Sequence, residues 1–342
     1  MPSKHRGGER VEQSEPTGIV DSSRASPVLV GASSLIRALL QQVAAAGRER
    51  LPLWVYGEPG VDLETICRGI HAASAWATGS FLAVDLSAIR PDLVRREILG
   101  AAAGAIPALP GEHEGILSRP RQGTVLLEGL EKLSKEIQAE LAQAIGSGRF
   151  QKLGSSVETS VESRVIAGGS VPLETLVQKG KLVRPLADLL STREVRFPAL
   201  RERREDIPLV AAQALSEIRA EIEGRGNQGC TVRTISTGAL QRLVGYDWPG
   251  NERELREQIR AAVGLARGEE LQPEDFVLGW SGPETVPSFR DAKRAFEREY
   301  VTRLLRLCKG NISQAARLAK KDRKDFYDVM RRNEINPVEF RK

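Results

Sequence analysis

The chain has 342 residues, 41% of them hydrophobic and 28% charged, an ordinary globular balance with length for two or three domains. Cys67, Cys230 and Cys308 form no C-x-x-C or His-paired spacing, and no stretch approaches the roughly 18 apolar residues of a membrane span. A disulfide framework, a zinc site, a secretion signal and a membrane anchor are therefore not expected, and a reducing cytoplasm is. The net charge of +5 is uneven: Ser288 to Lys342 carries 16 Lys and Arg against 8 Asp and Glu, while residues 1 to 287 carry 34 against 37. The basicity belongs to the tail, which makes a polyanion a candidate partner.

Residues 1–27 are rich in Ser, Gly, Glu and Arg with few large apolar groups, and are expected to form a flexible lead. Over 28–205, short apolar runs alternate with helical patterns. LPLWVYG (51–57), SFLAVDL (80–86), GTVLLEG (123–129) and SRVIAGG (163–169) predict buried strands. LETICRGIHAAS (63–74) and LSKEIQAELAQAIGSG (133–148) predict amphipathic helices, the second ending at a Gly suited to a C-cap. This alternation implies an α/β fold, a parallel sheet sandwiched by helices. Over 206–268 strand signals vanish and three helical patterns predict a small helical subdomain, followed by a Pro-containing linker at 269–287 partly pinned by Phe276 and Trp280. His5, His71 and His113 are isolated and predict no metal site.

The tail, 288–342, is all helical by pattern. Phe289, Ala292, Phe296, Tyr300, Leu304 and Leu307 recur three or four apart and give one helix with a single apolar face. Gly310 and Asn311 end it. ISQAARLA (312–319) is a short helix with small residues for close packing, and Asp322 is placed to cap RKDFYDVMRRN, with Phe326, Val329 and Met330 inward. Arg323, Lys324, Tyr327, Arg331 and Arg332 then face outward, the arrangement that puts a recognition helix in the major groove of double-stranded DNA. A helical protein-interaction module is the alternative.

GNISQAARLA and DRKDFYDVMRR resemble the Fis-type helix-turn-helix at the C-terminus of bacterial enhancer-binding proteins, departing from it at Lys320, Lys321, Asp325 and Asp328. The resemblance implies that the preceding helix pairs with its copy, making Phe289, Phe296, Tyr300 and Leu304 a dimer face and the operator a near-palindrome. The larger region is similar to the sigma-54-dependent activators, members of the AAA+ class of P-loop NTPases. YGEPGVDLETICRGIHAAS, QGTVLLEGL, SRVIAGG, REVRFPALRERREDIP and GYDWPGNERELRE carry the match, over about Val28 to Leu265. It implies an AAA+ core, a helical lid, nucleotide contacts at Gly57, Gly60, Glu128 and Arg253, higher oligomers, and contact with RNA polymerase.

Against that pattern several positions depart. Asp62 replaces the second loop glycine and Leu63 the lysine that neutralises phosphate charge. Glu128 and Gly129 stand where an Asp–Glu pair is expected, leaving a carboxylate for metal but no general base. Gly168, Gly169 and Ser170 replace polar sensors, and Val183 and Leu189 fall on the trans-acting arginines, with Arg184 one position away. The sigma-54 grip loop reads Gly104 to Leu109 without its aromatic or Thr. Arg253 matches the lid arginine, but with the other sites lost a structural helix arginine pairing with Glu257 at i+4 is the favoured expectation. These departures lead to the expectation of a cytoplasmic, nucleoid-associated DNA-binding regulator that is not an enzyme, needs no ATP or magnesium cofactor, and uses its AAA+-like region for oligomerisation or partner contact. The competing readings are an active ATP-dependent sigma-54 activator, and a non-catalytic subunit that modulates a homologous activator.

Overall fold

A computed structural model describes residues 19–21, 29–106, 111–224, 231–266 and 268–278, and in the C-terminal region 297, 300–302, 304–305, 308, 310–319, 321–333, 335 and 337. Its centre is a six-stranded sheet. Strand β1 is Ile19–Asp21, β2 Leu53–Tyr56, β3 Phe81–Asp85, β4 Thr124–Glu128, β7 Arg164–Gly169 and β8 Glu194–Arg196, and their spatial order is β1-β3-β4-β7-β2-β8. All neighbours are parallel except β1, which runs antiparallel along β3.

Alternation along these strands divides the core into two layers. Trp54, Leu82, Val125, Leu127, Val165 and Ala167 point to one face, where they meet helices α3 (Val94–Leu99), α4 (Lys135–Ser147) and α6 (Arg184–Leu190). Leu53, Val55, Phe81, Leu126, Ile166 and Val195 point to the other and are covered by α1 (Ser34–Arg48) and α2 (Leu63–Ala72). Each central strand is buried on both sides, which explains why the apolar runs are continuous rather than alternating. Serine caps open both α1 and α4: Ser33 accepts from the Ile36 amide at 3.2 Å, and Ser134 from Ile137 at 3.4 Å. Gly148 ends α4 in the left-handed conformation that a C-cap requires.

Three findings depart from the sequence reading. Residues 19–21, placed there in a flexible lead, form the edge strand β1, because the backbone of β3 offers an unpaired edge. A hairpin of β5 (Arg149–Gln151) and β6 (Glu158–Ser160) was not anticipated; its side chains are mostly exposed, so it lacks an apolar signature. The helical subdomain contains α7 (Ile207–Gly224), α8 (Thr237–Gly245) and α9 (Asn251–Leu265), but also a two-strand parallel pair, β9 (Thr234–Ile235) and β10 (Glu270–Leu271). Leu271 and Phe276 are 0% and 2% exposed in the core of that subdomain beside Trp248, so the packed lid runs past 268 and takes in the stretch read as linker as far as Leu278.

Two compact units emerge, Met1–Leu278 and Gly279–Lys342. Within the second, α10 (Ile312–Leu318) and α11 (Arg323–Arg332) pack Ala315, Ala316, Phe326, Val329 and Met330 against Val301, Leu304 and Leu305. Among the described residues no helix is long and apolar enough to cross a membrane.

Candidate functional site

The carboxyl ends of the parallel strands converge beside the loop 57–62 that joins β2 to α2, which is where open α/β sheets present ligand sites. Gly57 donates its amide to Gly169 O at 3.2 Å, tying the start of the loop to β7. Gly60 has φ +89°, and a Cβ there would lie 2.0 Å from Gly250 O. Only glycine lets the loop approach the lid this closely.

Two further bonds close the same seam. Arg253 N donates to Gly60 O at 2.9 Å, and Asn251 Nδ2 donates to Pro59 O at 3.1 Å while its Oδ1 accepts from Leu200 N at 2.9 Å. Asn251 carries φ +50°, a conformation that asparagine tolerates better than most residues, so it serves as a three-way clip between loop, lid and the turn after β8. Glu58 pairs through both oxygens with Arg201, and Arg201 holds its carboxyl below the usual range. The sequence reading missed Asn251, although an Asn directly after a Gly at a helix start was its signal.

The two substitutions that dominated the sequence reading take structural places. Leu63 opens α2 and is 7% exposed, packed in the layer beneath the sheet, so it does not face the loop cavity. Asp62 caps the same helix: its Oδ1 accepts from Thr65 N at 3.0 Å and its Oδ2 from Thr65 Oγ1 at 2.7 Å. Both oxygens accept at the positive end of α2, so Asp62, which stands in the second glycine's place, serves as the N-cap of that helix.

Glu128 ends β4 in register with Asp85 on one side and Gly168 on the other. Burial, followed by the charges of Asp85, Glu64, Asp62 and Glu131, pushes its carboxyl up. Gly168 makes room for it, since a Cβ there would lie 3.1 Å from Glu128 Cγ. Arg253 makes no ion pair with Glu257 among the described residues, which corrects the expectation of that helix pair. Arg184 is bound instead to Glu174 at 3.1 Å and Asp188 at 2.9 Å on an exposed helix.

A narrow cavity of about 50 Å³ lies between core and lid, lined by Leu29, Val30, Asp62, Thr65, Phe197, Val210 and Ala214 with Arg203, Gln213, Glu252 and Arg256. Arg203 is almost wholly buried, stacks over Phe197 with 4.6 Å to the ring centroid, and pairs with Glu252; burial pushes its pKa down to about 10. Asp206 fixes the chain segment before α1, accepting from the amides of Ala32 at 2.6 Å and Ser33 at 2.9 Å. None of these three acidic and basic groups was singled out from sequence, because their meeting depends on a turn of the lid.

In the second unit, Asp322 caps α11 by accepting from Lys324 N at 2.7 Å. Arg323, Lys324, Tyr327, Arg331 and Arg332 all lie exposed on that helix. Leu304 is only 8% exposed and belongs to the unit's own core, so it is corrected from a dimer-face residue to a core residue. Tyr300 remains 42% exposed, and Phe289 and Phe296 lie outside the described residues. So do Pro107, Ala108 and Leu109 of the expected grip loop.

A parallel sheet in this order, a glycine loop at its carboxyl edge and a helical lid clipped to that loop define an AAA+ P-loop NTPase fold. Residues 29–196 match the sigma-54 interaction domain and residues 201–283 the AAA+ ATPase lid domain. The chain belongs to the family of sigma-54-dependent transcriptional regulators. It is 28% identical over 334 residues to the transcriptional regulatory protein GlrR of Escherichia coli K12, covering 97% of this chain and 73% of that one. It is 30% identical over 292 residues to ZraR of the same organism, covering 84% and 65%. Among solved structures it is similar to NtrX from Brucella abortus in complex with ATP, at 25% identity and a TM-score of 0.64, over 90% of this chain and 69% of that one; NtrX is also solved with ADP.

These matches overturn the expectation that the chain is not an enzyme. A sigma-54 interaction domain is followed by an ATPase lid, and the relative that shares its fold is solved with both nucleotides, which points to ATPase activity. In the loop, Asp62 caps α2 and the Arg253 amide donates to Gly60 O, so the substituted positions are absorbed into helix and core packing and the loop keeps its place against the lid.

Proposed function

We propose that this chain is a sigma-54-type transcriptional regulator that binds ATP in the cleft between core and lid and acts on RNA polymerase while its C-terminal unit holds DNA. The observation that carries the nucleotide reading is the seam itself, in which the Arg253 amide donates to Gly60 O and so joins the lid helix that bears this arginine to the phosphate loop. Leu29, Val30, Val210 and Ala214 supply apolar surface for a base. Glu128, at the strand end, is the carboxylate for a magnesium shell, and Arg253 supplies positive charge that Leu63 does not. Bound Mg-ATP supplies the transferable phosphoryl group. The cavity of about 50 Å³ holds a few waters, far below the 300–1,000 Å³ of a ligand pocket. Nucleotide entry therefore requires the lid to swing away from the loop, breaking the Gly60 and Pro59 bonds.

DNA binding is assigned to α11 because it is the exposed basic helix of a small unit with its own core. Calorimetric titration with Mg-ATP, together with phosphate-release assays, tests the first part. Binding and turnover that fall at least tenfold in Arg253→Ala support it; absence of both at millimolar ATP in the intact protein would sink it. Footprinting on genomic fragments tests the second.

A further inference from the structure

Helix α11 buries Phe326, Val329 and Met330, at 1%, 8% and 1% exposure, together with Asn333 at the end. At 100° per residue the direction opposite that buried stripe falls on Lys324, Asp328 and Arg331, with Tyr327 and Arg332 on the shoulders. Asp328 therefore occupies the middle of the surface that the DNA reading presents to the groove, and it makes no ion pair among the described residues, despite Lys324 one turn before it. A carboxylate at that position faces phosphates on both walls of the groove and is repelled by each. Cytosine relieves this best: its N4 amine donates to a carboxylate in the major groove, whereas adenine sets the N7 acceptor beside its N6 amine, against the second carboxylate oxygen, and guanine and thymine present acceptors.

We propose that Asp328 is a specificity-determining residue that selects cytosine at one position of each half-site, by accepting a hydrogen bond from its N4 amine. The inference rests on α11 being the DNA-reading helix. Lys324 and Arg331, a turn to either side, supply the positive charge that keeps the carboxylate in the groove, and each is able to take a neighbouring guanine at O6 or N7. Asp328 thus narrows the set of sites rather than adding affinity, since removing it also removes a negative charge from the interface.

Selection of bound duplexes from a random pool with the full-length protein, followed by titration of the selected site and its single-base variants, tests this. The parent is expected to show a fixed cytosine at one position, with substitutions there weakening binding roughly tenfold or more. Asp328→Ala is expected to lose preference at that position alone, while binding unrelated DNA more tightly than the parent. Asp328→Asn is expected to shift the preferred base from cytosine to adenine, whose N6 and N7 suit an amide. Because residue 328 is exposed, both variants keep the fold, and circular dichroism melts check that they do. Selected motifs identical in parent and both variants overturn the inference while leaving DNA binding intact. A parent that binds no duplex even at low salt overturns the DNA reading, and the assignment of Asp328 with it.

Discussion

Glu128 is pushed toward its neutral form by burial and by four neighbouring carboxylates, Asp85, Glu64, Asp62 and Glu131. A carboxyl whose folded pKa lies above its unfolded value stabilises the fold below the ordinary carboxylate range, and that contribution is lost as pH rises through the folded pKa. Without divalent cations, Glu128→Gln is expected to melt higher than the parent at pH 7, by about 2 °C, with the gap closing as pH falls below about 4. A gap that does not change with pH, measured by calorimetry in chelator, refutes this account of the site. Arg203 poses the reverse problem, a cation almost fully out of water whose compensation is the Glu252 carboxylate and the Phe197 ring. Arg203→Met leaves Glu252 buried without its partner and is expected to cost about 3–5 kcal/mol in urea unfolding. The double change Arg203→Met with Glu252→Val replaces the pair by apolar groups and is expected to recover most of that loss. A double variant as unstable as the single one shows that the two residues are not coupled.

At the level of elements, the seam between loop 57–62 and the N-terminus of α9 rests on a contact that only a residue without Cβ permits. Gly60→Ala drives its methyl into Gly250 O and must also hold φ +89°, so the lid is forced off the loop. The expected result is a loss of about 2 kcal/mol and at least tenfold faster hydrogen exchange at Arg253 N, with exchange in β4 and β7 unchanged. Exchange at Arg253 that stays at the parent rate removes the seam as the closing contact. The central strands were legible in sequence because both faces of each are buried: LPLWVYG, SFLAVDL, GTVLLEG and SRVIAGG contain β2, β3, β4 and β7 as observed. β8, three residues long with an exposed–buried–exposed pattern, showed only as part of a motif. The β9 and β10 pair is two residues per strand and owes its existence to lid packing rather than to local preference. Residue identities at 62 and 63 were legible too, but their orientation was not. A capping Asp and a core Leu look the same in sequence as a lost glycine and a lost lysine, and only the hydrogen bonds to Thr65 separate the two meanings.

For the whole molecule, the uneven charge seen in the sequence coincides with the division into two units. Residues 279–342 hold 16 basic and 9 acidic side chains, leaving residues 1–278 with 34 and 36. Each unit has an apolar core of its own, around Trp248 and the sheet in one and around Phe326 in the other. Deleting 279–342 is therefore expected to leave the main thermal transition within about 2 °C of the parent and to abolish DNA binding. The remaining piece is slightly acidic and repels a polyanion. On the proposed DNA reading, Arg323, Lys324, Arg331 and Arg332 on α11 set the electrostatic part of the interaction. If all four contact phosphate, log K falls against log salt with a slope of roughly −3.6 for each copy bound, and roughly −7 for two copies on a near-palindrome. Arg332→Ala is expected to reduce the slope by about 1 per copy without changing the selected sequence, in contrast to Asp328, whose replacement changes the sequence and steepens the slope. A slope unaffected by removing these charges places the nucleic-acid contact elsewhere on the chain, and a slope of roughly −3.6 with a single half-site occupied shows one copy acting alone.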